Sequence, residues 1–369
     1  MGATGAILPY VEKAYGLNYA QVSALFICQF IGYIGAAFSV GPVSRRIGHG
    51  PTLILAVTLG IVGSVLNAAQ QVSFVPMCLG FLLFGFGFAA ELSLFNAYFA
   101  LLSKPLIYTG FLHGVFGLGA FASPLVATAM VTRGAPYHFF YMTCLGMSVP
   151  TLALAWFSFR KLRSLPQRPA DIISTGQRHG LREALNSRAV WTLALFMMFY
   201  VGAEESIGGW IVSFVLNVRH GSPHSASWVA SSFYLGIAIG RMVLPSLNVV
   251  MGERRAVFIY LSLAIALEAV GWAVPIYSST AVATALVGVA ISTFYTAGIV
   301  MGSYLIPSRL HADAFSLMSS IGQSGSAFFP LIIGIIATKK GIWVVEPFVV
   351  ALFCASGVMW FLAPRKTLN

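Results

Sequence analysis

The run Ala189-Val-Trp-Thr-Leu-Ala-Leu-Phe-Met-Met-Phe-Tyr-Val-Gly-Ala-Glu-Glu-Ser-Ile-Gly-Gly-Trp-Ile-Val-Ser-Phe-Val-Leu216 decides how the rest of the chain is read. It holds no proline and is long enough to cross a bilayer core as a helix, for which roughly 20 residues suffice. Two carboxylates, Glu204 and Glu205, stand near its middle. A charge at that depth is costly unless it meets a polar cavity or a partner, so it marks function.

Ten further apolar runs accompany it, at 22–44, 51–70, 74–102, 106–131, 137–159, 226–247, 256–277, 281–306, 313–338 and 342–363. Only 8% of the 369 residues are charged and 58% are hydrophobic, whereas a soluble chain carries about 25% charged residues. The composition excludes a soluble protein and predicts an all-α polytopic membrane protein, because a helix satisfies its own backbone hydrogen bonds in lipid. Its partners are then the lipid bilayer and whatever crosses it. The net charge of +11 comes from helix ends and loops and asks for no nucleic acid. Cys28, Cys78, Cys144 and Cys354 all fall inside apolar runs without metal-type or paired spacing, and they read as packing residues. Gly-rich stretches such as Gly85-Phe-Gly87 have no preceding strand and no following Gly-Lys-Ser/Thr, so no nucleotide loop and no cofactor is expected. The start, Met1 to Tyr10, lacks the basic flank of a signal peptide and reads as the last turns of a first membrane helix most of which is missing. Eleven complete helices plus the end of that one are expected.

Loop charge orients these helices. If the first helix ends outward, fifteen lysines and arginines fall on the cytoplasmic side and five outside, with Arg241 inside a helix. The positive-inside rule then places the C-terminus and the long basic loop Arg160–Arg188 in the cytoplasm. That loop divides the chain into an N-terminal bundle over 1–159 and a C-terminal bundle over 189–369.

Shifting the chain by about 200 residues superimposes the two halves. Gly32 and Gly48 meet Gly236 and Gly252 at an offset of 204, and Gly119-Ala-Phe-Ala-Ser-Pro124 meets Gly325-Ser-Ala-Phe-Phe-Pro330 at 206. A parallel repeat of two six-helix units is the layout of one large class of transporters.

The residues now in view resemble the major facilitator superfamily over essentially the whole chain, and within it the fucose–proton symporter-like branch, in particular its fungal members. Gly41-Pro-Val-Ser-Arg-Arg-Ile-Gly48-His-Gly50 is similar to the superfamily's G-x-x-x-D-R-x-G-R-R loop; Gly41, Arg46 and Gly48 fit, while Arg45 stands where Asp is usual. Leu112-His-Gly-Val-Phe-Gly-Leu-Gly119 with Pro124, Tyr200-Val-Gly-Ala-Glu204 with Trp210, and Gly322-Gln-Ser-Gly325 with Pro330 resemble the branch's fifth, seventh and eleventh helices. The resemblance implies a secondary transporter, not an enzyme, that moves a small and often sugar-like solute by alternating access with proton coupling. A monomer in the plasma membrane is expected.

Glu204 and Glu205 point about 100° apart on a helix and cannot share a face. Glu204 matches the branch pattern and is the leading candidate to line the pathway, where a low-dielectric site favours proton uptake; a structural carboxylate is the alternative, and for Glu205 the two readings are even. Glu91 and Asn96 of the fourth helix, His113 of the fifth, and Gln29 and Gln323 are further candidates for proton or solute contact, each with interhelical bonding as the competing reading. Trp210 is a candidate to stack on a ring. Arg45, Arg46 and Gly48 form the loop element, and Arg241 reads either as a gate or carboxylate partner or as a snorkelling anchor. Glu268 reads as structural. Export of a secondary metabolite uses the same machinery, and a non-transporting sensor or remnant is the rival from another class.

Overall fold

Pro, Gly and polar punctuation cut the chain into helices throughout. The structure is a computed structural model describing residues 2–69, 73–99, 102, 105–163, 180–307 and 310–364. Its helices are α1 (Gly2–Tyr15), α2 (Tyr19–Val22), α3 (Ala24–Ile47), α4 (His49–Ala68), α5 (Val75–Phe99), α6 (Pro105–Thr132), α7 (Phe140–Phe159), α8 (Gly180–Leu185), α9 (Arg188–Asn217), α10 (Pro223–Met251), α11 (Glu253–Ala273), α12 (Tyr277–Ile291), α13 (Phe294–Leu305), α14 (His311–Lys340) and α15 (Val345–Leu362). Among the described residues, eleven helical segments are long and apolar enough to cross a membrane. Of the linker Arg160–Arg188, residues 164–179 lie outside the described residues.

Local chemistry sets the helix starts and stops. Asn18 opens α2 with a reciprocal cap: its Oδ1 accepts from Gln21 N at 2.9 Å, and Gln21 Oε1 accepts from Asn18 N at 3.0 Å. α3 gives way to α4 at Gly48, whose φ of 103° suits a residue without Cβ. Gly252, at φ 81°, does the same between α10 and α11.

The repeat seen in the sequence recurs in the packing. A Cβ on Gly32 would collide with Leu82 O and Phe86 N of α5, and one on Gly236 would collide with Ala285 O and press on Val289 N of α12. These contacts correspond at offsets of 203 to 204, so the same close helix approach is built twice. The turn at Gly48 docks on the end of α7, where His49 N and Gly50 N donate to Arg163 O and Leu162 O at 3.1 and 2.8 Å. In the C-terminal half Arg254 donates to Phe361 O in the last turn of α15 and to Ala363 O and Pro364 O just past it, at 3.0 to 3.1 Å.

Packing separates two compact units, one of Tyr10–Phe116 with Ala129–Arg168, the other of Pro169–Asn369 with Met1–Pro9 and Gly117–Thr128.

One span departs from its expected form. The run 281–306 reads as one helix, but the structure interrupts it at Ser292 and Thr293, between α12 and α13. Both residues are buried, and neither hydroxyl finds a partner. The break sits where Ser292 Oγ faces Gly240 of α10, a contact that no window of hydrophobicity registers.

Candidate functional site

α9 is buried along nearly its full length, so its rotation is held by packing. Phe196 lies 4.7 Å from Trp360 of α15 between ring centroids, and Tyr200 lies 5.6 Å from Phe294 of α13. This aromatic cluster fixes Tyr200, and Glu204 follows one turn later on the same face. From α10, Arg241 Nη2 reaches to 3.9 Å of Glu204 Oε1, with side-chain exposures of 34% for the arginine and 17% for the glutamate. The structure thus makes Arg241 a carboxylate partner. Glu205 leaves on another face of α9.

Trp210 is fully buried and its indole Nε1 donates to Pro330 O at 3.1 Å. Proline 330 has no N–H and interrupts the ladder of α14, so this bond ties α9 to the interrupted turn. The ring faces the protein interior and offers no exposed surface for stacking. Gln323, half-buried on α14, stands four residues from Ser319, whose hydroxyl bonds Tyr295 Oη at 2.9 Å.

A second polar cluster in this unit joins α9, α11, α12 and α15. Arg219, just past α9, donates Nε to Thr280 Oγ1 at 3.0 Å and Nη2 to Gly271 O and Trp272 O at 2.6 and 3.0 Å. Its guanidinium also lies 5.1 Å over the Phe214 ring. Beside it lie Glu268 and Glu346, 4% and 2% exposed. Glu268 has no part in the Glu204 arrangement.

The candidates of the N-terminal half occupy separate places in their own unit. Gln29 is buried on α3 and donates Nε2 to Tyr33 Oη at 3.0 Å. Glu91 projects from α5 toward Gly60 of α4, and Asn96 Oδ1 is buried without a partner. His113 belongs to α6, but its side chain lies outside the described residues. Arg45 and Arg46 are exposed at the end of α3, next to the turn at Gly48.

Sequence reasoning overlooked Tyr200, although its spacing of four from Glu204 is readable on a helix. It had no means of finding the Arg219–Glu268–Glu346 cluster, whose members meet only through packing.

Among the described residues, eleven helical segments long and apolar enough to cross a membrane, a duplicated packing scheme and a charge pair between two of those segments fit a multi-pass membrane transporter. The chain belongs to the major facilitator superfamily, whose family model matches residues 1–220 and 202–368. It is 25% identical over 393 residues to the bypass of stop codon protein 6 of Saccharomyces cerevisiae, covering 98% of this chain and 78% of that protein. It is 21% identical over 248 residues to the glucose/mannose transporter GlcP of Bacillus subtilis, covering 66% of this chain and 61% of that one. Among solved structures, the fucose:proton symporter FucP of E. coli superimposes with a TM-score of 0.68 at 14% identity, over 99% of this chain and 95% of that chain. The fold is the all-α fold of that superfamily, and the activity is transport, not enzymatic catalysis.

Proposed function

We propose that this transporter moves a small, hydroxylated, sugar-like solute by alternating access and that a proton on Glu204 drives the exchange. The observation that carries the reading is the Glu204–Arg241 pair at 3.9 Å, with Glu204 at the middle of α9 and Arg241 in the C-terminal half of α10. A carboxylate there balances the guanidinium. When it takes a proton, Arg241 loses its counter-charge and is free to bind a solute hydroxyl or to move toward water. Proton and solute then compete for, or share, one electrostatic arrangement, which is the requirement for coupling. The solute class rests on the names of two similar proteins, a glucose/mannose transporter and a fucose:proton symporter. In this reading the halves 1–159 and 189–369 are joined by a cytoplasmic linker, the C-terminus is cytoplasmic, and the protein is a monomer in the plasma membrane.

The test is transport in reconstituted vesicles with and without an imposed pH gradient, using a panel of hexoses, deoxyhexoses and polyols. In Glu204→Gln, gradient-driven accumulation should vanish while solute exchange at equal pH persists. Unchanged accumulation in the variant refutes the assignment of the proton site.

A further inference from the structure

The four cysteines show no pairing by spacing, yet the fold sets α3 against α5 with Gly32 abutting Leu82, and Cys28 and Cys78 stand one turn before those two residues on their helices. The two helices meet almost backbone to backbone just beyond this point. Gly32, one turn after Cys28, abuts Leu82 O, and Gly85, two turns after Cys78, abuts Gln29 O. Helices that run this close bring facing Cα atoms near the separation of about 4.4–6.8 Å that a disulfide spans. Neither thiol is sealed in the core, since both residues are half-buried, and both are free in this structure.

We propose that Cys28 and Cys78 are an oxidation site at which a peroxide closes a disulfide between α3 and α5. One thiolate attacks hydrogen peroxide, the O–O bond breaks, and a sulfenic acid forms with release of hydroxide, which takes up the thiol's proton as water. The second thiolate then attacks that sulfur, the S–O bond breaks, and the oxygen leaves as a second water. Two thiols are oxidised by two electrons and one peroxide is reduced to two waters. The new bond closes the chain from 28 to 78 and restricts the unfolded ensemble, so the oxidised protein melts at a higher temperature. Cys144 and Cys354 lie on other helices, α7 and α15.

The experiment is peroxide treatment of the purified, reduced protein, followed by alkylation in denaturant and peptide mass mapping. Cys28 and Cys78 should lose alkylation together. Their peptides should appear joined, two hydrogens lighter than their sum, and a dithiol reductant should restore both labels. Thermal melting should shift upward on oxidation in the wild type and stay put in Cys28→Ser, whose reduced melting point should match the wild type and so report an intact fold. The proposal is overturned if Cys28 and Cys78 both remain alkylatable while exposed Cys354 is oxidised, if Cys78 joins a different cysteine, or if oxidation leaves the wild-type melting point unmoved.

Discussion

Replacing Arg241 and Glu204 singly and together measures whether their contact is an energetic pair. Two unit charges at 3.9 Å attract by about 4 kcal/mol at an effective dielectric of about 20. That figure is an upper limit here, because the arginine side chain keeps 34% of its exposure and solvent screens it. Discounting for that access leaves a coupling of about 1–2 kcal/mol, well above the roughly 0.3–0.5 kcal/mol by which independent sites fail to add. The assay is a double-mutant cycle of Glu204→Gln, Arg241→Gln and the double variant, with unfolding free energies taken in mixed micelles. Arg241→Gln should destabilise more than the double variant, since it alone leaves a mostly buried carboxylate without its counter-charge. Additive single effects would sink the pair, and with it the electrostatic basis for coupling at Glu204.

Other outcomes follow from the packing. Trp210→Phe removes the donor to Pro330 O and should cost about 1–3 kcal/mol in a thermal or denaturant melt, because the carbonyl stays buried. Gly236→Ala should destabilise by about 1–3 kcal/mol through its clash with Ala285 O, whereas Gly114→Ala, with nothing within 4 Å of the added carbon, should melt like the wild type. Glu268→Ala should cost about 1–3 kcal/mol by removing a buried polar neighbour of Glu346. Glu268→Gln, which can still bond a carboxylate, should recover most of that loss in the same melt.

The sequence by itself determined that the chain is a helical membrane protein, which of its runs are long and apolar enough to span and where the repeat lies. Those properties depend on the apolar length of each run, on glycine and proline positions and on loop charge, all of which are local or periodic quantities. Glu204 was legible for the same reason, since a carboxylate in an apolar run is conspicuous whatever surrounds it. The same reasoning left Arg241 between anchor and partner, gave Trp210 a ring face to offer, and drew the tenth span as one continuous helix. Those questions depend on which faces of distant helices meet. Only the tertiary structure turned Arg241 of α10 onto Glu204 of α9, directed the Trp210 N–H to Pro330, opened α12 from α13 beside Gly240, and set the helix of Cys28 against that of Cys78. A side chain's neighbour across a helix pair depends on the rotation and register of both helices. Hydrophobicity sets neither; the close contacts at Gly32, Gly85 and Gly236 and the aromatic wedge of Phe196, Tyr200, Phe294 and Trp360 do.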